Sequence, residues 1–295
     1  MVGVPLHDLF TDPEAWKPVT FSLVEQFLDW QLQNGYAIDS INIHLTTVKR
    51  YAALACRVGV LSSDELFRIR EVKGFRRMEG RRIDAKRPVT RIGAKKAAPT
   101  FLTEEQLMHL FQVPDLTTPQ GWRDLLLLRL LYDLGLRPGE VISLQIVDID
   151  LQQQRLRVCR HKTDGEQFLR PTNGISTAAT RYLQLRRDRD PGAPLLVRTL
   201  KNGHLVELVQ QPDGSLLTPS CHLRGIQKRI HQLGSAIGVN LNAYDARHQW
   251  TRDALDAGNT LTDILTAGGW SKDSPMVRRY SGERTIANER ITLNR

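Results

Sequence analysis

Between residues 68 and 96 the chain carries twelve of its 41 Lys and Arg against three of its 32 acids, Glu71, Glu79 and Asp84. The remaining 29 bases and 29 acids cancel, so the whole formal excess of +9 lies in this one stretch. Within it, residues 79–97 (EGRRIDAKRPVTRIGAKKA) show no apolar periodicity and contain Pro88 and Gly93. A segment of this kind offers no face to bury, so it reads as a boundary. The chain is expected to fold as a helical domain over 1–78 and a larger domain over 98–295, joined by a basic linker at 79–97. A length of 295 residues suffices for two separate cores. A solvated tether is the bland use of a charge run. A concentrated positive track between two folded parts suits a row of phosphates better. Arg76, Arg77, Arg81, Arg82, Lys86, Arg87 and Arg91 are the residues expected to meet them.

The chain has no run of some 18 apolar residues, and its first residues, MVGVPLHDLFTDPEAW, lack the basic-then-apolar order of a secretion signal. A cytoplasmic protein without a membrane partner is therefore expected. Cys56, Cys159 and Cys221 are widely spaced and stand outside any Cys-x-x-Cys or Cys/His cluster, which makes them reduced structural thiols and predicts no metal site.

Ahead of the basic stretch, Phe21, Val24, Phe27, Leu28 and Leu32 recur at helical spacing before Gly35. Asp39 and Ser40 open a second helix, with an apolar stripe of Ile43, Leu45, Val48, Tyr51, Ala52 and Leu54. Ser62, Ser63 and Glu65 start a third, carrying Leu66, Ile69 and Val72. Beyond the stretch, Thr103 caps a helix with Leu107, Leu110 and Phe111, and 125–134 is a leucine-rich core helix. It runs out into GLRPGE, where Arg137 stands just past the helix and Pro138 suits the first position of the next.

The period then changes to two. Val147, Ile149 and Leu151, Leu156 and Val158, and, past a Thr163-Asp164-Gly165 turn, Phe168 and Leu169 read as short strands. Lys162, with His161 beside it, sits at the lip of that hairpin. By themselves Arg137 reads as a surface arginine and Lys162 as an exposed turn lysine. Helical pattern returns at 177–185 and 223–237, with a strand pair around Pro212-Asp213-Gly214-Ser215 between them.

Residues 242–280 gather the chemistry. Asn242 can cap a helix bearing Tyr244, Arg247 and His248, with Ala243, Ala246, Trp250, Ala254 and Ala257 at apolar spacing and Gly258 to stop it. Tyr244 and Arg247 are three apart and leave one face. A second helical run, 261–267, ends at Gly268-Gly269, and Trp270 follows in a loop before Tyr280. An arginine and an indole N–H suit a phosphate, and a tyrosine beside them is a possible nucleophile.

On these residues the chain resembles the tyrosine recombinases, the phage-integrase and Xer-like family. That family's second box, His-x-x-Arg-His, stands here as Tyr244-Asp245-Ala246-Arg247-His248, followed by Gly269-Trp270 and then Tyr280. Its first box, Gly-x-Arg-x-x-Glu, is matched by Gly135, Arg137 and Glu140, 110 residues before Arg247. Two departures stand out: Tyr244 replaces the usual His, and the interval from Trp270 to Tyr280 is one residue longer than the common pattern. The resemblance implies a mainly α fold with a small β-hairpin, in which a helical core-binding domain precedes a catalytic domain.

It also implies roles. Arg137 and Arg247 clamp the two nonbridging phosphate oxygens, Trp270 adds a donor, and Glu140 orients a cation. Lys162 protonates the leaving 5′-oxygen, with His161 a weaker rival, and Tyr280 forms the 3′-phosphotyrosine link. Tyr244 is a weak base or a support for the phosphate. No cofactor is implied, because the ester retains the bond energy. Double-stranded DNA is the partner, with a homo-tetramer on DNA and a monomer free of it. A DNA-binding protein that kept the fold but lost strand transfer, and a type IB topoisomerase-like enzyme, stay open as alternatives.

Overall fold

A computed structural model describes residues 8–92, 98–160, 165–271 and 274. The chain divides into two compact units, Met1–Ala97 and Ala98–Arg295, each with its own apolar core. The fold is mainly helical with small antiparallel sheets, the α+β class expected.

In the first unit, α1 (Asp8–Thr11) and a 3-10 turn (Pro13–Trp16) precede α2 (Phe21–Gln33), α3 (Ile38–Arg57), α4 (Ser63–Glu71) and α5 (Arg77–Asp84). The Thr20 and Ser62 hydroxyls accept the Leu23 and Glu65 amides, N–H groups that no carbonyl of their own helix can reach. Val24 and Leu28 of α2 and Ile69 of α4 close on Trp16 and Ile41. In α3 the buried face is Ile38, Ile41, Leu45, Ala52 and Ala55, which corrects the expected stripe: Ile43 and Leu54 are 64% and 43% exposed. Ile43 stands about 200° around the helix from Ile41. A face that holds 41 and 45 excludes it.

Helix α5 runs from just ahead of the stretch that reads as aperiodic in sequence into its first six residues, 79–84. Its buried position is Gly80, and a Cβ there would come 3.0 Å from Ile38 Cγ2. A glycine adds nothing to an apolar pattern, so the helix leaves no periodic trace. The Glu79 carboxylate accepts the Arg76 backbone N–H at 3.3 Å and closes the first turn. Farther on, Arg87 donates from Nη1 to the carbonyls of Leu32 and Tyr36, each at 3.0 Å, and pairs through Nη2 with Asp84.

The second unit opens with α6 (Glu104–Gln112), α7 (Pro119–Tyr132), α8 (Pro138–Ser143) and a 3-10 turn (Ile146–Asp148). Strands β1 (Ile149–Asp150), β2 (Arg155–Arg160) and β3 (Gly165–Leu169) form an antiparallel sheet in that order, with Leu156 opposite Leu169 and Arg160 opposite Gly165. Then come α9 (Asn173–Gln184), the ribbon β4 (Val209–Gln210) and β5 (Leu216–Leu217), α10 (Leu223–Ala236), α11 (Asp245–Asp256) and α12 (Leu261–Ala267). Helix α7 starts ahead of its leucine run, with the Thr118 hydroxyl accepting the Gly121 amide and Pro119 in the first turn. Leu126, Leu127, Leu128, Leu130 and Leu131 are all wholly buried. A helix apolar all round must be wrapped, and α6, α8, α9 and α11 pack on it. Among the described residues no helix is long and apolar enough to cross a membrane.

Candidate active site

The site begins where α7 gives way to α8. Gly135 turns the chain at φ 60°, and a Cβ there would stand 2.5 Å from the Trp250 ring. Glycine answers both demands. Arg137 follows as the N-cap of α8, with Pro138 in the first turn. The Glu140 carboxylate reaches back, taking the Arg137 backbone N–H on Oε2 at 2.8 Å and its Nη1 on Oε1 at 2.6 Å. The first-box spacing is thus the spacing at which an N3 acid can seize both the cap amide and the cap side chain. Arg137 keeps 22% of its side chain exposed and Glu140 only 6%.

A second cation lies behind this pair. Arg160, the last residue of β2, gives Nη1 to Glu140 Oε2 at 2.7 Å, Nε to Gln167 at 2.9 Å and Nη2 to the Ala267 carbonyl at 2.9 Å. Burial works to raise the Glu140 pKa. The Arg160 charge, with hydrogen bonds from Arg137 and Arg160, outweighs it and holds the carboxyl below its ordinary value. Arg160 was absent from the sequence expectations, though a signal existed. Leu156, Val158 and Arg160 share the buried face of β2, and an arginine in that register must find partners inside.

Arg247 approaches from α11. It is 2% exposed, and its Nη1 donates to the Gly135 carbonyl at 2.7 Å while Nη2 donates to the Gly268 carbonyl. Helix α12 ends in a Schellman turn: the Gly269 amide, at φ 60°, bonds to Thr266 O, and the Trp270 amide to Leu265 O. The turn carries Trp270 back over the helix end, where its ring lies 3.8 Å from the Arg247 guanidinium and 6.4 Å from the Trp250 ring. Tyr244 caps α11, is 37% exposed, and accepts the Arg247 and His248 amides on its carbonyl. Asn242, expected as that cap, instead accepts the Tyr244 amide one step earlier.

Arg137, Glu140, Arg247 and Trp270 therefore converge, joined by Arg160. Lys162, His161 and Tyr280 lie outside the described residues. In the first unit, Arg76, Arg81, Arg82, Lys86 and Arg91 are exposed, and Arg77 begins α5 with its side chain outside the described residues. Arg87 differs from the expectation, since its guanidinium is spent on the Leu32 and Tyr36 carbonyls and on Asp84. Among the described residues no three His, Cys, Asp or Glu side chains gather as they would around a metal ion.

The model of the phage integrase family matches residues 100–285. The tyrosine recombinase XerC of Bacillus subtilis is 28% identical over 177 residues, 60% of this chain and 55% of that protein. The chain spans about half the length of the curated relatives it matches. In fold it is similar to the Tn1549 transposon integrase in complex with transposon right end DNA, with a TM-score of 0.55, 13% identity, and coverage of 92% of this chain and 83% of that one. It is also similar to a lambda integrase tetramer bound to a Holliday junction, with a TM-score of 0.52, 12% identity, and coverage of 94% and 68%.

Proposed function

Because the chain belongs to the phage integrase family, we propose that it is a site-specific DNA recombinase, cleaving and rejoining double-stranded DNA through a 3′-phosphotyrosine ester. The observation that carries this reading is the shared seating of two arginines. Glu140 fixes Arg137, and Arg247 bonds to the carbonyl of Gly135, two residues before it. Two planar forks held in one frame suit the two nonbridging oxygens of a phosphodiester, where charge gathers as a fifth ligand enters.

Tyr280 loses its phenolic proton to water, its oxygen attacks phosphorus, the bond to the 5′-oxygen breaks, and Lys162 gives that oxygen a proton. Attack by a 5′-hydroxyl of another strand reverses the step and releases the tyrosine. Arg247, held by the Gly135 and Gly268 carbonyls, presents its guanidinium to the same phosphate as Arg137. The Trp270 ring shields this cation from water, and its indole N–H joins the clamp. Tyr244 supports the phosphate from the exposed start of α11. No metal or nucleotide enters this balance, since the ester conserves the energy of the cut bond. Arg76, Arg77, Arg81, Arg82, Lys86 and Arg91 follow the DNA backbone from the first unit. The likeness to Tn1549 integrase in complex with DNA supports a DNA partner, and the likeness to a lambda integrase tetramer on a Holliday junction supports a tetramer on two paired sites. The absence of a basic-then-apolar leading segment is what supports a cytoplasmic setting.

The test is capture. Nicked duplexes drawn from DNA flanking the gene trap the enzyme once the short cut strand diffuses away, and mass spectrometry maps the adduct. The expected product is one 3′-phosphate ester on Tyr280, abolished in Tyr280→Phe with DNA affinity retained. Adduct on Tyr244, or none across the flanking DNA, overturns the reading.

A further inference from the structure

Three successive carbonyls at the end of α12 accept from three side chains. Thr266 O takes the Gln167 amide at 2.8 Å, Ala267 O takes Arg160, and Gly268 O takes Arg247. These belong to the carbonyls a helix leaves without internal partners, and they form the negative end of its dipole. Arg160 alone of the three side chains also binds the Glu140 carboxylate. Its side chain is 4% exposed, and the backbone of Gly269 passes so close that a Cβ there would stand 2.5 Å from Nε.

These bonds close a ring. It runs from Arg137 to Glu140, to Arg160, to the end of α12, to Arg247, to Gly135, and two residues along the chain back to Arg137. We propose that Arg160 is a positioning residue for strand cleavage, tying the carboxylate that holds Arg137 to the helix end that holds Arg247 so that both arginines meet the phosphate as one rigid pair. The proposal rests on the recombinase reading of this site. A planar fork with five donors can serve a carboxylate, an amide oxygen and a carbonyl at once, whereas a lysine ammonium offers one nitrogen to all three. Cleavage needs the arginines held to a fraction of an ångström, and non-specific DNA affinity does not.

The test uses the full chain carrying Arg160→Met or Arg160→Lys. Arg160→Met is expected to slow single-turnover adduct formation about a hundredfold, the usual effect of a misplacement near 1 Å, with duplex affinity within about twofold of wild type. Arg160→Lys, which keeps the charge, is expected to recover part of that loss. A residue that merely supports the fold would leave the pH profile unchanged. Losing Arg160 leaves Glu140, buried and faced by Arg137 from α8, without the cation from β2. Its cleavage rate should therefore gain a fall toward acid that wild type lacks, and adding Glu140→Gln should erase that fall. Cleavage by Arg160→Met within about threefold of wild type, or a loss with an unaltered pH profile, overturns the proposal. Amide exchange is read in the same samples. In Arg160→Met it should rise together at 135–140 and 266–270 and stay unchanged in the first unit. If wild type forms no adduct, the recombinase reading fails, and this exchange pattern alone decides for or against the frame.

Discussion

Arg247 and Gly135 lie 112 positions apart, and one hydrogen bond of 2.7 Å from the guanidinium to the carbonyl joins them inside the second unit. The loop that presents Arg137 is thereby fastened to the helix that presents Arg247. Groups that act as a unit give non-additive losses. Arg137→Lys and Arg247→Lys are each expected to lower single-turnover cleavage by about a hundredfold or more, and the double variant to fall little below the worse single. Losses that multiply would show two arginines acting independently.

Lys162 is assigned the proton for the leaving oxygen. Lys162→Ala should cripple cleavage of ordinary DNA, by roughly two to four orders of magnitude, while largely sparing a substrate with sulfur at the 5′-bridging position. A thiolate leaves without a proton. Equal losses on both substrates would move the acid elsewhere, with His161 next in line.

The basic stretch separates into two kinds of residue. Neutralising Arg76, Arg81, Arg82 and Lys86, all exposed, should weaken binding to every duplex and flatten the plot of log K against log salt. The slope should change by about 0.9 for each phosphate that is no longer neutralised. Arg87→Ala should instead destabilise the first unit by about 1–3 kcal/mol, because two carbonyls and the Asp84 carboxylate lose their donor. Urea titration and salt-dependent binding, run on both variants, distinguish the two effects. A salt slope that moves with Arg87 and not with the other four would invert this assignment.

Acid should act through Glu140. Its folded pKa is held below the unfolded value, near ~4.3, so its contribution to stability is complete above that value and disappears as pH falls through the folded one. Urea titrations across pH should show wild type exceeding Glu140→Gln by a constant margin near neutrality, narrowing only in acid below about pH 4. A margin that persists unchanged into strong acid would mean that the carboxylate charge contributes nothing.

How much was legible in sequence followed from what each residue type can signal. Pro138 and the leucines of α7 announced a buried helix followed by a new start, and Arg137 with Glu140 carried a capping geometry that three-residue spacing already contains. Gly258 ended α11 as expected, at φ 81°. Other features were silent. Gly80 packs by having no side chain. Ile43 is apolar yet faces out, and only the phase of the whole helix reveals that. Arg160 was hidden because a charged residue at a strand end reads as solvent-facing unless the register of Leu156 and Val158 is carried through to it. The covering of Arg247 by Trp270 depends on the turn at Gly268 and Gly269, and no residue pattern encodes where a ring comes to rest after such a turn.

The burial of α7 also sets an order of events at the ribosome. Its five wholly buried leucines emerge well before α9 and more than a hundred residues before α11, two of the helices that cover them in the finished molecule. At ordinary synthesis rates this interval lasts on the order of 10 s. Through it a strongly apolar segment stands on the nascent chain with only α6 and α8 of its neighbours to hand, which makes α7 a natural recognition point for a holdase chaperone and a point of aggregation if elongation stalls.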